Sequence, residues 1–335
     1  MAFQIIRNNI INVEADAIVN TANPLSAIGP GVDHAIYEAA GRDELLAERK
    51  KIGFMAQGEV AFTPAFALNA DYIIHTIGPT WEGGNKGERE TVAECYRKSL
   101  ELAEELRCES IAFPLMATGN YGFPKDEALR IALSVISTFL LSHEMEVFLV
   151  VYDKESFEIS GKLFSDIKAY IEDEEADYEP VRRRRLYSSE PPEFLQHAAL
   201  PEETYGILSD AAGAGIDEKV RHLDKTFQEH LFTLIDRRGL KDPEVYKKAN
   251  IDRKHFSKIR SNVAYQPSKM TAVALAIALE LNLDQTRDLL MRAGLALSSS
   301  SVFDKIIEYC IENEVYDIYE INCILFEYDQ PLLGA

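Results

Sequence analysis

The sequence predicts an α/β domain built on a mixed, largely parallel sheet, followed by a separate all-α domain. Three observations predict it. Short β-rich runs alternate with helix-period runs over residues 1–170, the pattern of strands joined by helical crossovers. Residues 172–220 interrupt that pattern with charge blocks and Pro- and Ser-rich stretches, and residues 221–330 read as helix throughout. A chain of 335 residues suits two domains at roughly 100–200 residues each. The expected boundaries are 1–172 for the first domain, 173–220 for a charged linker and 221–335 for the helical domain.

In order, the strand-like runs are Phe3–Arg7, Ala17–Asn20, Glu59–Thr63, Tyr72–Ile77, Ser110–Leu115 and Val147–Tyr152. Between them Val32–Ala40, Arg42–Lys51, Glu88–Leu106, Lys125–Leu141 and Lys154–Ile171 carry helical spacing. The linker runs from the acidic EDEEADYEP through Arg182–Arg185 to SSEPPEF. That arginine block reads either as a solvated partner of the acidic run or as a nucleic-acid contact. Helices are then expected over 221–238, 243–249, 252–260, 268–281, 284–293, 302–313 and 317–326, punctuated by Gly239, Pro243, Pro267, Gly294 and the serine run 298–301.

The net charge of −20 disfavours nonspecific nucleic-acid binding. A local exception is 237–269, with ten basic and three acidic residues; 296–335 reverses it with one basic and eight acidic. The four cysteines are scattered and form no CxxC pair, so neither a disulfide framework nor a zinc site is signalled. No apolar run approaches the ~20 residues of a membrane helix. The N-terminus lacks a basic region followed by a long apolar one, so no signal peptide is expected. A reducing, cytoplasmic setting without membrane contact is the expectation.

Two strands run into loops suited to a ligand. Residues 15–41 place Asn20 and Asn23 at a strand end, then Gly29-Pro30-Gly31, then a helix from Val32. Residues 110–128 place Gly119 and Gly122 after a strand and before a helix. Glycines in such turns are structural or let a ligand approach the backbone closely. Free N–H groups at loop and helix starts hold anions, and residues 1–170, with 15 basic and 25 acidic side chains, offer no general positive field for one. Asp33 sits in the first helical turn with Tyr37 four residues on. It reads as a helix N-terminal stabiliser, worth a few tenths to about 1 kcal/mol, or as a positioned base. His75, inside the strand-like YIIHTIGP, reads as a satisfied core histidine. Trp81 and the glycines of WEGGNKGE read as an exposed loop or a lid.

DAIVNTAN, GVDHAIYEAAG, YIIHTIGP and SIAFPLMATGNYGFP together resemble the macrodomain family of ADP-ribose-binding modules, over about residues 1–172. The resemblance implies a three-layer α/β/α fold with an ADP-ribose cleft at the strand ends. It is similar most to the branch that hydrolyses mono-ADP-ribose from proteins. No metal-ligand cluster is visible in the sequence, as His34 and His75 have no Cys or acidic partner at ligand spacing, and no cofactor is expected. The resemblance implies Asn23 on the distal ribose and Asp33 beside the scissile bond as catalytic residues. It further implies a ligand-binding set of Asn9, Ile10, Asn20, Gly29, Gly31, Val32, Ala117, Thr118, Gly119, Asn120, Tyr121 and Tyr152. Tyr121 covers the distal ribose and Tyr152 packs on adenine. The chain departs from the family at Asn8-Asn9-Ile10, where G-D-I is usual, at Pro30, which has no N–H, at Tyr37, where the hydrolase branch often has His, and at Asn120. ADP-ribose or a mono-ADP-ribosylated protein is the implied partner, with a non-catalytic reader as the alternative.

Residues 232–290 resemble a lambda-repressor type of helix-turn-helix domain. The turn would be Asn250–Asp252 and the recognition-like helix Arg253–Arg260, exposing Lys254, His255, Lys258 and Arg260. The resemblance implies a protein or DNA partner through 221–335, with the acidic helices at 302–328 repelling DNA or folding back on the basic stretch.

Overall fold

The computed structural model describes residues 2–152, 167, 170 and 224–334. Strand β2 (Ala17–Thr21) has Ala17, Ile18, Val19 and Asn20 all buried. A strand buried on both faces belongs in the middle of a covered sheet, and β2 lies there. The six strands run in the order β1-β6-β5-β2-β4-β3. The others are β1 (Phe3–Arg7), β3 (Val60–Pro64), β4 (Tyr72–Thr76), β5 (Ser110–Pro114) and β6 (Glu146–Val151). All pairings are parallel except β3 with β4.

Side chains alternate across a strand, and β2 divides them cleanly. Ile18 joins Ile36, Tyr37 and Leu45 under α1 (Val32–Ala40) and α2 (Arg42–Ile52). Ala17 and Val19 join Tyr96, Leu100 and Ile136 under α3 (Glu88–Glu105) and α4 (Lys125–Ser142). The result is the expected three-layer α/β/α domain with a mixed, mostly parallel sheet.

Residues 224–334 form an all-helical region: α5 (Phe227–Arg238), α6 (Asp242–Lys248), α7 (Arg253–Ser261), α8 (Lys269–Ala278), α9 (Leu283–Arg292), α10 (Val302–Glu312) and α11 (Ile318–Glu327). Side-chain caps set the starts of six of them: Thr226, Asp252, Ser268, Asn282, Ser301 and Asp317 each accept from a backbone N–H of the first turn. From Thr271 to Ala278 α8 is buried on every side, which makes it the axis of the bundle.

The helical region packs directly on the sheet domain. Its apolar core is continuous with the one under α3 and α4, and the rings of Phe3 and Tyr319 meet edge to face at 5.2 Å. The helix expected over 154–171 lies outside the described residues apart from Ile167 and Tyr170. The expected linker, with Arg182–Arg185, lies outside them entirely. No helix among the described residues is long and apolar enough to cross a membrane.

Of the four basic side chains expected on the exposed face of 253–260, Lys254, Lys258 and Arg260 are exposed. His255 is half-buried and bonded to the Tyr265 hydroxyl at 2.7 Å. Arg260 lies over the Phe232 ring at 4.5 Å and pairs with Asp242. Asn250, expected in a turn, is fully buried. The loop around Trp81 is exposed as expected at Glu82, Gly83, Asn85, Lys86 and Gly87, but its ring is not free. Trp81 is half-buried, packed on Phe123 at 4.8 Å and under the Arg89 guanidinium at 5.3 Å. A large ring beside an apolar wall buries more surface than an open loop can leave it.

Candidate functional site

The carboxyl ends of β2, β5 and β6 open between two loops, 22–31 and 115–123. They enclose a cavity of about 410 Å³ lined by Asn23, Gly29–Asp33, Ala117–Tyr121 and Tyr152. A second compartment of about 390 Å³ continues from it, lined by Asn8, Asn9, Ile10 and Ala35. The two share Gly31, Val32, Pro114, Val150 and Tyr152. The site is therefore an elongated, two-chambered cleft across the strand ends, where open α/β sheets take ligands.

Asp33 forms part of the wall between loop and helix. It is 3% exposed. Its Oδ2 accepts from the Gly29 N–H at 2.6 Å and its Oδ1 from Asn20 Nδ2 at 2.6 Å. A Cβ on residue 29 would sit 3.3 Å from that Oδ2, so glycine there allows the close approach. Burial pushes the Asp33 carboxyl above its ordinary range. The Asn20 and Gly29 hydrogen bonds, then the charges of Arg49 and His34, pull the other way.

Behind Asp33 lies a buried relay. Asn20 Nδ2 also meets His75 Nδ1 at 3.2 Å, and His75 Nε2 meets Thr63 Oγ1 at 3.0 Å. An amide nitrogen only donates, so Nδ1 accepts and the ring proton sits on Nε2, toward Thr63. Burial, then the charge of Arg49, lowers the His75 pKa to about 3, so the ring is neutral in ordinary buffers. Asn20 is itself fully buried and does not line the cleft. Its contribution to the site runs through Asp33.

The backbone is open where an anion would lie. Gly31, Val32, Thr118, Gly119, Asn120 and Tyr121 have N–H groups with no protein partner among the described residues. The Gly29 N–H is committed to Asp33 and Pro30 has none, so loop 22–31 offers fewer donors than loop 115–123. Gly31 has φ +76°, a region L side chains rarely adopt. The start of loop 115–123 is tied by Tyr96, whose hydroxyl donates to Pro114 O at 3.2 Å and accepts from Met116 N at 3.1 Å. Tyr121 bridges the loops, its hydroxyl donating to Ala22 O at 3.4 Å.

Asn23 lines the cavity, its Oδ1 accepting from Leu25 N at 2.9 Å. Asn9 Oδ1 caps a short 3-10 turn by accepting from Ile11 N at 3.4 Å. Tyr152 is 71% exposed at the junction of the two chambers. One buried side chain behind the site escaped the sequence reading. Arg49, only 1% exposed, donates to Asn23 O (3.1 Å), Gly53 O (2.6 Å) and Ser26 Oγ (3.3 Å). In sequence it belongs to the basic last turn of α2, where Arg49, Lys50 and Lys51 all read as partners of the helix dipole. Among the described residues no cluster of side chains is suited to a metal ion.

Comparison with known proteins finds relatives of the amino-terminal part of the chain. The macro domain family model matches residues 19–132. A macro domain-containing protein of Methanosarcina mazei is 46% identical over 166 residues, 49% of this chain and 88% of the relative. An O-acetyl-ADP-ribose deacetylase of Salmonella newport is 40% identical over 167 residues, 48% of this chain and 93% of the relative. A solved Oceanobacillus iheyensis macrodomain with ADPR is 36% identical, covering 47% of this chain and 88% of that chain, with a TM-score of 0.45.

Proposed function

The chain belongs to the macro domain family, and from that premise we propose that its amino-terminal domain binds ADP-ribose and hydrolyses the ester joining the distal ribose to a carboxylic acid. The observation that carries this reading is the placement of Asp33. A fixed, nearly buried carboxylate stands at the wall of a cleft whose neighbouring backbone N–H groups are free for a diphosphate. The Salmonella relative's name supports the same class of reaction.

In this reading the diphosphate lies against the N–H groups of Gly31, Val32 and Thr118–Tyr121, an oriented-dipole cradle that an acidic domain needs. The adenosine half enters the chamber of Asn9 and Ile10 and stacks on Tyr152. The distal ribose reaches the Asn23 end, where the Asn23 amide holds its hydroxyls. A water between Asp33 and the ester adds across the bond. The acid departs, the ribose regains its hydroxyl, and the proton released from water passes through Asp33 to solvent. Burial raises the Asp33 pKa, which makes the carboxylate a better proton acceptor than an exposed aspartate. Positioning supplies much of the acceleration.

The test is calorimetry with ADP-ribose alongside release of acid from O-acetyl-ADP-ribose and from a protein mono-ADP-ribosylated on acidic side chains. Wild type and Asp33→Ala are compared. Release by wild type, lost by at least tenfold in the variant, is the expected result. A second reading is a non-catalytic reader. It is favoured by one observation: both Asp33 oxygens already accept strong hydrogen bonds. Binding without release of either acid would establish it.

A further inference from the structure

The second chamber of the cleft has no charged side chain among the described residues of its wall. The lining is apolar except for Asn8, Asn9 and Tyr152. Both carboxamides are oriented by the main chain beside them. Asn8 Oδ1 accepts from the Asn9 N–H at 2.8 Å, and Asn9 Oδ1 accepts from the Ile11 N–H at 3.4 Å. A backbone N–H only donates, so these contacts fix which end of each amide is oxygen. Neither amide nitrogen has an acceptor among the described residues. The backbone that carries the two side chains is itself tied down. Asn8 N donates to Val151 O at 3.0 Å, and Asn9 O accepts from Asn12 N at 2.9 Å. The chamber therefore meets two amide NH2 groups on a fixed loop, while the matching oxygens are engaged with main chain. Donors held by fixed backbone lose less entropy on contact than donors on a free loop.

We propose that Asn8 and Asn9 make this chamber selective for a 6-oxopurine base, so that it takes the hypoxanthine and guanine nucleoside diphosphate-riboses ahead of the adenine one. The inference rests on the reading above that the base of the ligand enters this chamber, and it names which bases are favoured. Adenine shows an acceptor at N7 beside a donor at N6, whereas a 6-oxopurine shows two acceptors, N7 and O6. An asparagine pairs with the adenine edge by using both its groups at once, nitrogen donating and oxygen accepting. In this loop each oxygen already holds a backbone N–H, so the adenine amino group faces donors. The O6 and N7 of an oxopurine face the same two NH2 groups and each finds a partner. Tyr152, 71% exposed at the chamber mouth, does not choose among purines, because every base has a π-face. The choice at the base falls to the two asparagines.

The experiment titrates the full chain by calorimetry with the adenine, hypoxanthine and guanine forms of the nucleoside diphosphate-ribose. Wild type, Asn8→Asp and Asn9→Asp run side by side. Each aspartate keeps the oxygen that accepts the backbone N–H and puts an acceptor where the free donor stood, so the loop is retained. The added charge acts on the shared diphosphate of all three ligands alike, and the ratio of affinities reads the base. In wild type both oxopurine forms should bind at least fivefold tighter than the adenine form, about what one net hydrogen bond delivers. In Asn9→Asp the order should reverse. A gain for hypoxanthine alone still supports the donor pair, with guanine excluded by its 2-amino group. Adenine binding as tightly as hypoxanthine in wild type overturns the proposal, and so does a preference that neither aspartate changes. If none of the three binds, the ligand reading falls with it. If the adenine form binds and the order is not found, base selectivity alone falls. If the order is found and no ester is turned over, base selectivity stands and the hydrolase reading falls.

Discussion

The side-chain amide of Asn250 replaces a missing strand at Phe3. Its Oδ1 accepts from the Phe3 N–H at 3.0 Å and its Nδ2 donates to the Phe3 carbonyl at 2.9 Å. β1 is an edge strand, and an open edge invites pairing with other chains. Here one asparagine from the helical region, fully buried and at φ +53°, closes the edge at that residue. Asn322 uses the same two-point contact on Leu333, at 2.7 and 3.1 Å.

Asn250→Ala leaves a donor and an acceptor of Phe3 buried and unpaired. The expected loss is about 2–6 kcal/mol, from roughly 1–3 kcal/mol for each of the two orphaned groups. Asn250→Asp costs more, because it removes the donor and adds a buried charge. Denaturant unfolding measures both. Hydrogen exchange at the Phe3 amide should accelerate in the alanine variant, and unchanged protection there would show that another group closes the edge.

Arg49→Lys tests the weld under Asn23. A lysine is a point charge on a flexible stem and cannot present the planar fork that reaches three acceptors at once. With at least one carbonyl left unsatisfied, stability falls by roughly 1–3 kcal/mol. Because Asn23 O is one of those acceptors, ADP-ribose affinity should fall with it. Loss of stability with affinity intact would separate the weld from the ligand site.

His75 binds its proton more weakly in the native state than an ordinary histidine does near 6.5, with its pKa lowered to about 3. The unfolded chain therefore takes up a proton below pH 6.5 that the native state refuses. Stability is complete above pH 6.5 and declines as pH falls from 6.5 toward 3, with a slope of up to about 1.4 kcal/mol per pH unit. Nitrogen chemical shifts should report a neutral ring with the proton on Nε2 from pH 5 to 8. In a His75→Gln variant the decline between pH 6 and 5 should be shallower than in wild type.

Glu88 has the opposite sign of linkage. Burial pushes its carboxyl up, but backbone N–H groups outweigh that and hold it at about 2. Its Oε1 accepts from Glu82 N and Gly84 N, and its Oε2 from Lys86 N at 2.6 Å. Its contribution is present above the unfolded value of 4.5 and is lost as pH falls from 4.5 toward 2. Glu88→Gln should flatten that acid limb and speed exchange at the amides of Glu82, Gly84 and Lys86. An unchanged acid limb would mean the loop is held by Trp81 and Arg89 instead.

Much of the fold was legible from residues alone. Strand β2 reads as buried because AIVN has no polar face, and Gly31 before Val32 marks where α1 begins. The six helix caps are ordinary local chemistry at Thr, Asp, Ser and Asn. At the site, Asn23, Asp33 and the two glycine-bearing loops stood out because their residue types sit where strands end.

Periodicities, helix caps and loop positions each depend on neighbours a few residues away, so they can be read along the chain. That Asn20 faces Asp33 and His75 instead of the cleft, that Arg49 is buried while Lys50 beside it is exposed, and that Asn250 reaches across 247 residues to Phe3 follows from packing between distant segments. A polar side chain's partner is set by which elements pack together. An asparagine in a turn and an asparagine on a buried edge have the same local signature, and they differ only in the surface brought against them.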